Sequence, residues 1–553
     1  MPKRVTLDNT NEPTIRIIDN GDGTASAAIV ADATAEADIP DFGDGPINDD
    51  TNYETDPDDP DNESYAAHQG EKIPGKLLCA IIATGILAFI GILTETMTNV
   101  LFPTIQKEFG VDTATVQWLT TGYLLTVSVV TPLSSFFNRR FKIKSCFVVA
   151  VVLCLCGVAL AALTPGFWLL MCARVLQGVG TGIALPLMFN IILEQAPRSR
   201  LGLLMGTCNM VCAIAPALGP TVGGVACDSI GWRAMFGWLT LFIVAAFFIG
   251  FFTIEQPRPT GHVKFQFGQL VLLLIGFVCF VFGLDQCGAA VAEGADAAST
   301  WGTAIVLFVV AAAALVWFAM LCKKSHEPLI RMGILYNVPF RWHLLAYVML
   351  EGVTIGFGYL IPNLAQWGFG ASAATAGLLI LPGALLGAVL GPVAGALLDR
   401  FGAMKPIMWT MALAVLGILL MILLVRPSAS VWMICVGYIA YMAGFSMAYP
   451  DTMTAGMSVI KPQAQPDGNA MFSTFQQLAG AVGTTVMSIC MVIAQSGKTA
   501  GTQAYASATQ SGGKWGMIVL LIVLLCAVAS NWHAFMVRRR ETKRQAAAMN
   551  AKA

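Results

Sequence analysis

The chain has 553 residues, 56% of them hydrophobic and only 12% charged, with a mean hydropathy of +0.69. A charged share about half the globular average excludes an ordinary soluble domain and points to a polytopic membrane protein. The net charge of −1 hides an asymmetry, since 18 of the 33 acidic residues lie in the first 76 positions and the rest of the chain is net +12.

Residues 1–75 are rich in Asp, Gly, Asn, Pro and Thr, and the block from Asn48 to Glu63 is almost wholly polar and acidic. Such a segment buries too little apolar surface to fold alone, so a disordered acidic cytoplasmic tail is expected. No secretory signal precedes the first apolar run near Leu77, which is expected to act as the signal anchor.

About 14 apolar segments follow, near 77–104, 114–136, 143–164, 166–193, 201–226, 233–254, 266–286, 301–322, 342–363, 373–398, 405–425, 430–451, 471–495 and 515–537. Each is long enough for a membrane span, giving an all-α polytopic fold. With an even number of spans, 21 Lys and Arg fall in loops and tail on the side of both termini, among them Arg139, Arg140, Arg400 and Arg538 to Arg540. Only Lys107, Arg233, Arg426, Lys498 and Lys514 fall on the other side. The positive-inside rule then places both termini in the cytoplasm.

Few ionisable residues sit inside these segments, and intramembrane charges mark function by default. Glu95 lies in the first span and Arg174 in the fourth, each about eight residues from the outer end. At ~1.5 Å per residue both are roughly 12 Å below the outer surface, where opposite charges can pair. Desolvation and a nearby cation act oppositely on a carboxylate's proton affinity, which suits Glu95 to proton coupling. Glu351, in the ninth segment, is a cavity candidate in the second half of the chain. Asp285 and Asp451 fall near span ends, where water is the expected partner.

Between Leu169 and Gly224 two spans carry Arg174, the pair Gln177-Gly178, and a small-residue run from Ala215 through Pro216, Gly219, Pro220, Gly223 and Gly224. Ala215, Gly219 and Gly223 are four apart, so they form one stripe where another backbone can come close. The prolines bend the helix and free backbone groups.

The chain also repeats itself weakly. Gly395-Ala-Leu-Leu-Asp399-Arg400-Phe-Gly402 ends one apolar segment as Ser135-Phe-Phe-Asn-Arg139-Arg140-Phe-Lys142 ends another. Two similar bundles with a site between them are the build of secondary transporters. The expected division is an N-terminal six-helix bundle (77–254), two extra central helices (266–322), a C-terminal six-helix bundle (340–537) and a basic cytoplasmic tail (538–553). Asn99, Trp118, Tyr123, Asn190, Asn209, Asn363, Gln366, Gln476 and Gln477 are candidates to line a cavity with many apolar walls, which suits amphipathic substrates.

Enzyme signatures are absent: there is no HExxH, no GxSxG and no pair of carboxylates at a membrane face. Gly497-Lys498-Thr499 lacks the upstream glycine of a phosphate-binding loop, with Val492 in its place. The 14 cysteines are scattered without a CxxC pair, so neither a metal nor a disulfide framework is expected.

These residues resemble the major facilitator superfamily, in particular its 14-span drug:proton antiporter branch (DHA2), over about 77–537. Arg174-Val-Leu-Gln177-Gly178-Val-Gly180 is similar to that family's fourth-helix motif, whose arginine the resemblance implicates in proton transfer. Ala215 to Gly224 is similar to its fifth-helix antiporter motif. Glu95-Thr-Met-Thr-Asn99-Val resembles the lincomycin-resistance-type multidrug permeases of bacteria; other members have an aspartate one position earlier, at Thr94 here. The family's loop motif is intact at Gly395, Asp399, Arg400 and Gly402 but degraded in the first bundle, where Arg139 replaces the acid and Lys142 the second glycine. This puts a cytoplasmic gate chiefly on the second copy, with Arg139 and Arg140 opposite.

The expected function is export of amphipathic drugs or other small molecules across the plasma membrane against inward proton flow, by a monomer using the proton gradient and no cofactor or metal. Its partners are the substrate, protons and the lipid bilayer, with no nucleic acid. Two other readings stay open: an exporter of a dedicated metabolite, lipid or peptide, and a membrane sensor signalling through the acidic tail.

Overall fold

The computed structural model describes residues 15–19, 25–29, 73–197, 201–256, 265–294, 297–325, 328–426, 430–461 and 464–550. Its first unit, within residues 1–56, contains an antiparallel pair of strands, β1 (Ile15–Asp19) and β2 (Ala25–Ile29), with Ile15 opposite Ile29 and Asp19 opposite Ala25. The composition of 1–75 predicts no such pair. Local sequence explains it: β-branched Ile15, Ile17 and Ile18 flank the turn-forming residue types Asn20-Gly21-Asp22-Gly23. The rest of the acidic segment up to residue 72 lies outside the described residues.

The second unit is helical. In chain order it consists of α1 (Gly75–Phe109), α2 (Thr113–Val116), α3 (Trp118–Val130), α4 (Ser134–Arg140), α5 (Ile143–Leu163), α6 (Phe167–Gln195), α7 (Leu201–Ser229), α8 (Trp232–Thr253), α9 (Phe267–Glu293), α10 (Ala298–Lys324), α11 (Val338–Asn363), α12 (Ala373–Leu378), α13 (Leu381–Phe401), α14 (Met404–Leu424), α15 (Trp432–Met457), α16 (Gln465–Gln495) and α17 (Gln503–Asn550). Among the described residues, 12 helices are long and apolar enough to cross a membrane. The fifth expected span is the helix α7. The second is broken into α2, α3, a 3-10 turn at Thr131–Leu133 and α4; the break at the 3-10 turn falls on Pro132, which cannot donate the hydrogen bond a continuous helix needs there.

The packing has an internal symmetry. In the first half α1 packs on α6, α7 and α8, α3 packs on α6, and α5 packs on α6 and α8. In the second half α11 packs on α15, α16 and α17, α13 packs on α15, and α14 packs on α15 and α17. Each helix thus has the same partners as its counterpart in the other half. Three seams join the halves: α1 with α11, α3 with α16, and α7 with α12 and α13. The last two are related by the same exchange of halves. Helices α9 and α10 pair with each other, and α9 lies against α16 and α3.

Large apolar side chains remain on the outside, such as Trp238, Leu241, Phe242, Phe248 and Phe252 of α8. A surface of that kind needs hydrocarbon rather than water around it.

Candidate functional site between the two halves

Helices α1 and α11 occupy equivalent places in the two halves, and each carries one buried acid. Glu95 of α1 is 6% exposed and Glu351 of α11 is 9% exposed. The two helices pack on one another where the halves meet, so the two acids lie on adjoining helices. Sequence alone places them 256 residues apart with no reason to meet.

Glu351 sits in a polar clasp. Gln476 of α16 donates its Nε2 to Glu351 Oε1 at 3.2 Å. Tyr347, one turn earlier on α11, donates its hydroxyl to Gln476 Oε1 at 3.3 Å and stacks on Tyr449 with ring centroids 4.1 Å apart. The Tyr449 hydroxyl lies beside the same carboxylate without a well-formed hydrogen bond.

Arg174 is 0% exposed and does not form the expected ion pair with Glu95. Its Nε donates to the Leu119 carbonyl at 3.0 Å, and its Nη1 to Gln177 Oε1 at 2.6 Å. Its guanidinium lies 4.3 Å from the centroid of the Tyr123 ring. Nη2 and the Gln177 Nε2 have no protein partner. The reason is geometric: Gln177, three residues on along α6, lies on the same helix face and reaches the guanidinium first. Arg174 still acts on Glu95 through its field. The Tyr123 hydroxyl, in turn, donates to the Gly91 carbonyl at 2.8 Å and is hydrogen-bonded with the Thr181 hydroxyl at 2.9 Å, tying α3 to α1 and α6.

The other cavity candidates divide. Asn99 is buried and accepts from the Thr120 hydroxyl at 2.7 Å, and Gln366 donates across the seam to the Val100 carbonyl at 2.9 Å. Asn363 donates to the Tyr359 carbonyl at 2.7 Å, while its Oδ1 and the hydroxyls of Tyr359 and Ser488 are buried without partners. Trp118 instead packs on Phe282 of α9, with centroids 4.9 Å apart, beside the bond from Gln117 Nε2 to Asp285 Oδ1 at 3.1 Å. Asn190 lines a small recess with Ser134, Phe137 and Cys146 inside the first half. Neither belongs to the central seam. Their rank as polar or aromatic residues in a span says nothing about which face they occupy. Gln477 is half-buried, and the side chain of Asn209 lies outside the described residues.

The small-residue stripe of α7 serves both neighbours. A Cβ on Gly219 would fall on the Thr96 side chain, and one on Gly223 would lie 2.7 Å from Met97 Cβ. Thr96 and Met97 directly follow Glu95 on α1. On the other side a Cβ on Gly224 would collide with the Ala373 backbone, and one on Gly377 with that of Pro220. Thr221 donates to the Gly377 carbonyl at 3.1 Å. Ala215 is fully buried, and Pro216 and Pro220 both lie within the continuous α7. Gly178 of α6 meets Thr126 and the Tyr123 carbonyl of α3 in the same manner.

The residues expected at a gate are described only in part. Gly402 ends α13 with φ +71°, the left-handed turn that favours glycine. Gly395 has open space around it, and the exposed Arg400 leans over Phe401, 5.3 Å from the ring centroid. Arg140 is exposed, and the side chains of Arg139 and Asp399 lie outside the described residues.

Two polar features were missed or underrated in the sequence. Asp451 is buried rather than at a wet span end, because α15 runs on to Met457. His343 Nδ1 bonds Asn531 Oδ1 at 2.8 Å, and Asn531 Nδ2 donates to Thr452 at 3.0 Å. This joins α11, α15 and α17. The signal available was the presence of His and Asn within apolar runs.

Comparison with known proteins agrees with this architecture. The chain is 32% identical over 456 residues to lincomycin resistance protein LmrB of Listeria monocytogenes, covering 82% of this chain and 92% of that one. It is 31% identical over 421 residues to the protein of the same name from Bacillus subtilis, covering 76% and 86%. A crystal structure of a bacterial homologue of the human lysosomal transporter Spinster shares the fold, with a TM-score of 0.56 at 14% identity over 84% of this chain and 98% of that one. The family profile of the Major Facilitator Superfamily matches residues 84–484. The chain therefore belongs to the Major Facilitator Superfamily, and it is a multi-pass membrane transporter rather than an enzyme.

Proposed function

We propose that the protein exports amphipathic drugs or similar small molecules across the plasma membrane in exchange for protons, with both termini in the cytoplasm. The observation that carries this reading is the placement of Glu95 and Glu351, both buried, on equivalent helices that pack on one another between the two halves. The names of the relatives, which include lincomycin resistance proteins, support a drug as the cargo.

Two like charges in a poorly solvated seam repel, and a proton on either one relieves the repulsion. Arg174, held by Leu119, Gln177 and Tyr123, supplies a fixed positive field without neutralising Glu95 by contact. Proton uptake at Glu95 therefore changes the attraction between the halves. Thr96, its neighbour in sequence, is wedged against Gly219, so a rearrangement around Glu95 reaches α7, and through Gly224 and Pro220 it reaches α12. A binding change that biases two arrangements of packed bundles is what alternating access requires.

The test is proton movement in proteoliposomes with a pH-sensitive dye, on adding cationic and neutral amphipathic drugs. Substrate-triggered proton movement is expected for the native chain and is expected to vanish in Glu95→Gln. If Glu95→Gln still drives uphill transport, Glu95 is not the coupling residue. Silence of the native chain across the panel would move the cargo to a dedicated metabolite.

A further inference from the structure

An open groove of about 400 Å³ is lined by Leu335, Arg341, Trp342, Leu344, Leu345, Val348 and Phe475. It lies where the first turns of α11 meet the 3-10 turn Met332–Tyr336 and α16. That volume falls within the ~300–1,000 Å³ typical of small-ligand sites. Its walls are apolar except for Arg341, which is exposed and has no ion-pair partner among the described residues. Arg331 nearby is different, being 3.6 Å from Asp467.

The neighbouring helix α10 carries further positive charge. Lys323 and Lys324 form the last turn of α10, which packs on the 3-10 turn. Both are exposed and have no ion-pair partner among the described residues. Tyr336 is 76% exposed at the end of that turn. Unpaired cations and an exposed tyrosine beside an apolar trough form the pattern that holds a lipid headgroup at the membrane interface.

We propose that this groove binds an anionic phospholipid. The acyl chain lies along Leu345, Val348 and Phe475, and the phosphate sits on Arg341 with Lys323 and Lys324 at the rim. Charge decides the occupant: a zwitterionic lipid offers the same hydrocarbon but carries its own cation, which the three unpaired bases repel. The groove shares no lining residue with the Glu351 clasp, although Phe475 adjoins Gln476 and Val348 adjoins Tyr347 in the chain.

The experiment is native mass spectrometry of the delipidated full chain, with phosphatidylglycerol or phosphatidylcholine added as probe. The native chain is expected to retain phosphatidylglycerol at least fivefold over phosphatidylcholine. Arg341→Gln is expected to abolish that preference, and Val348→Trp, which fills the trough, to lower retention of the lipid itself. Should Arg341→Gln not yield monodisperse protein, Lys323→Gln with Lys324→Gln, on a different helix, carries the test. Equal retention of the two lipids, or an undiminished preference in the charge variants, overturns the proposal. Displacement of the lipid by a transported cationic dye also overturns it, because the groove would then belong to the substrate path.

Discussion

Arg174 is bound by Gln177, three residues further along the same helix, through a 2.6 Å hydrogen bond from Nη1 to Oε1. The cation of the first bundle is thus fixed by its own helix and presented to Glu95 only as a field. Replacing Gln177 by Leu removes one of two protein acceptors from a buried guanidinium, and leaving a buried donor unsatisfied costs about 1–3 kcal/mol. Thermal unfolding in detergent should show that loss. Gln177→Glu separates stability from function: it keeps an acceptor but neutralises Arg174 by contact, so folding should hold while substrate-driven proton movement falls.

Tyr123 touches Arg174 with its ring and α1 and α6 with its hydroxyl. Tyr123→Phe keeps the ring and loses two hydrogen bonds, a change of about 1–2 kcal/mol. Tyr123→Leu also loses the cation–π contact, adding about 1–2 kcal/mol at a desolvated site. Denaturation midpoints of the two variants should differ in that order. Equal midpoints would mean that the ring contributes no more than packing.

Gly219 and Thr96 share one space between α7 and α1. Gly219→Ala should destabilise the protein by roughly 1–3 kcal/mol through overpacking and slow transport. Adding Thr96→Ala removes the hydroxyl that the new Cβ meets most closely and keeps the Thr96 Cβ, so the double variant should recover part of both losses. Additive losses in the double variant would show that the two positions do not meet.

Asp228, past the small-residue stripe of α7, accepts from the Ala374 backbone N–H at 2.9 Å. That N–H belongs to the first turn of α12, where no intrahelical acceptor exists. Asp228→Ala therefore unties an exposed connection between the halves. Cys227 beside it is half-buried against Thr104. Its labelling by a membrane-impermeant maleimide, followed by peptide mapping, should rise severalfold in Asp228→Ala if this seam opens. Unchanged labelling would show that the Asp228 bond is not needed to keep this seam closed.

Much of the fold was legible because a membrane imposes a simple rule on sequence. Every backbone group must be satisfied within the span, so length and hydropathy alone mark the helices. The small-residue stripe Ala215–Gly219–Gly223 was legible for a related reason: a missing side chain is itself a statement that something comes close. The identity of the close neighbour was not. Thr96, Met97 and Ala373 come from distant parts of the chain, and no local pattern names them.

The acids show the same division. That Glu95, Arg174 and Glu351 are exceptional follows from the cost of charge in an apolar span, a property of each residue taken singly. Which of them meet is a property of the packing. Equal depth suggested that Glu95 pairs with Arg174, but depth is one coordinate of three, and the arginine is held instead by Gln177 of its own helix and by the Leu119 carbonyl of α3. The same rotational freedom sends Trp118 to α9 and Asn190 into the first half. Composition and hydropathy thus determined that this chain is a bundle of membrane helices with a few costly charges, while only tertiary packing decided that the two helices carrying the buried acids meet at the seam.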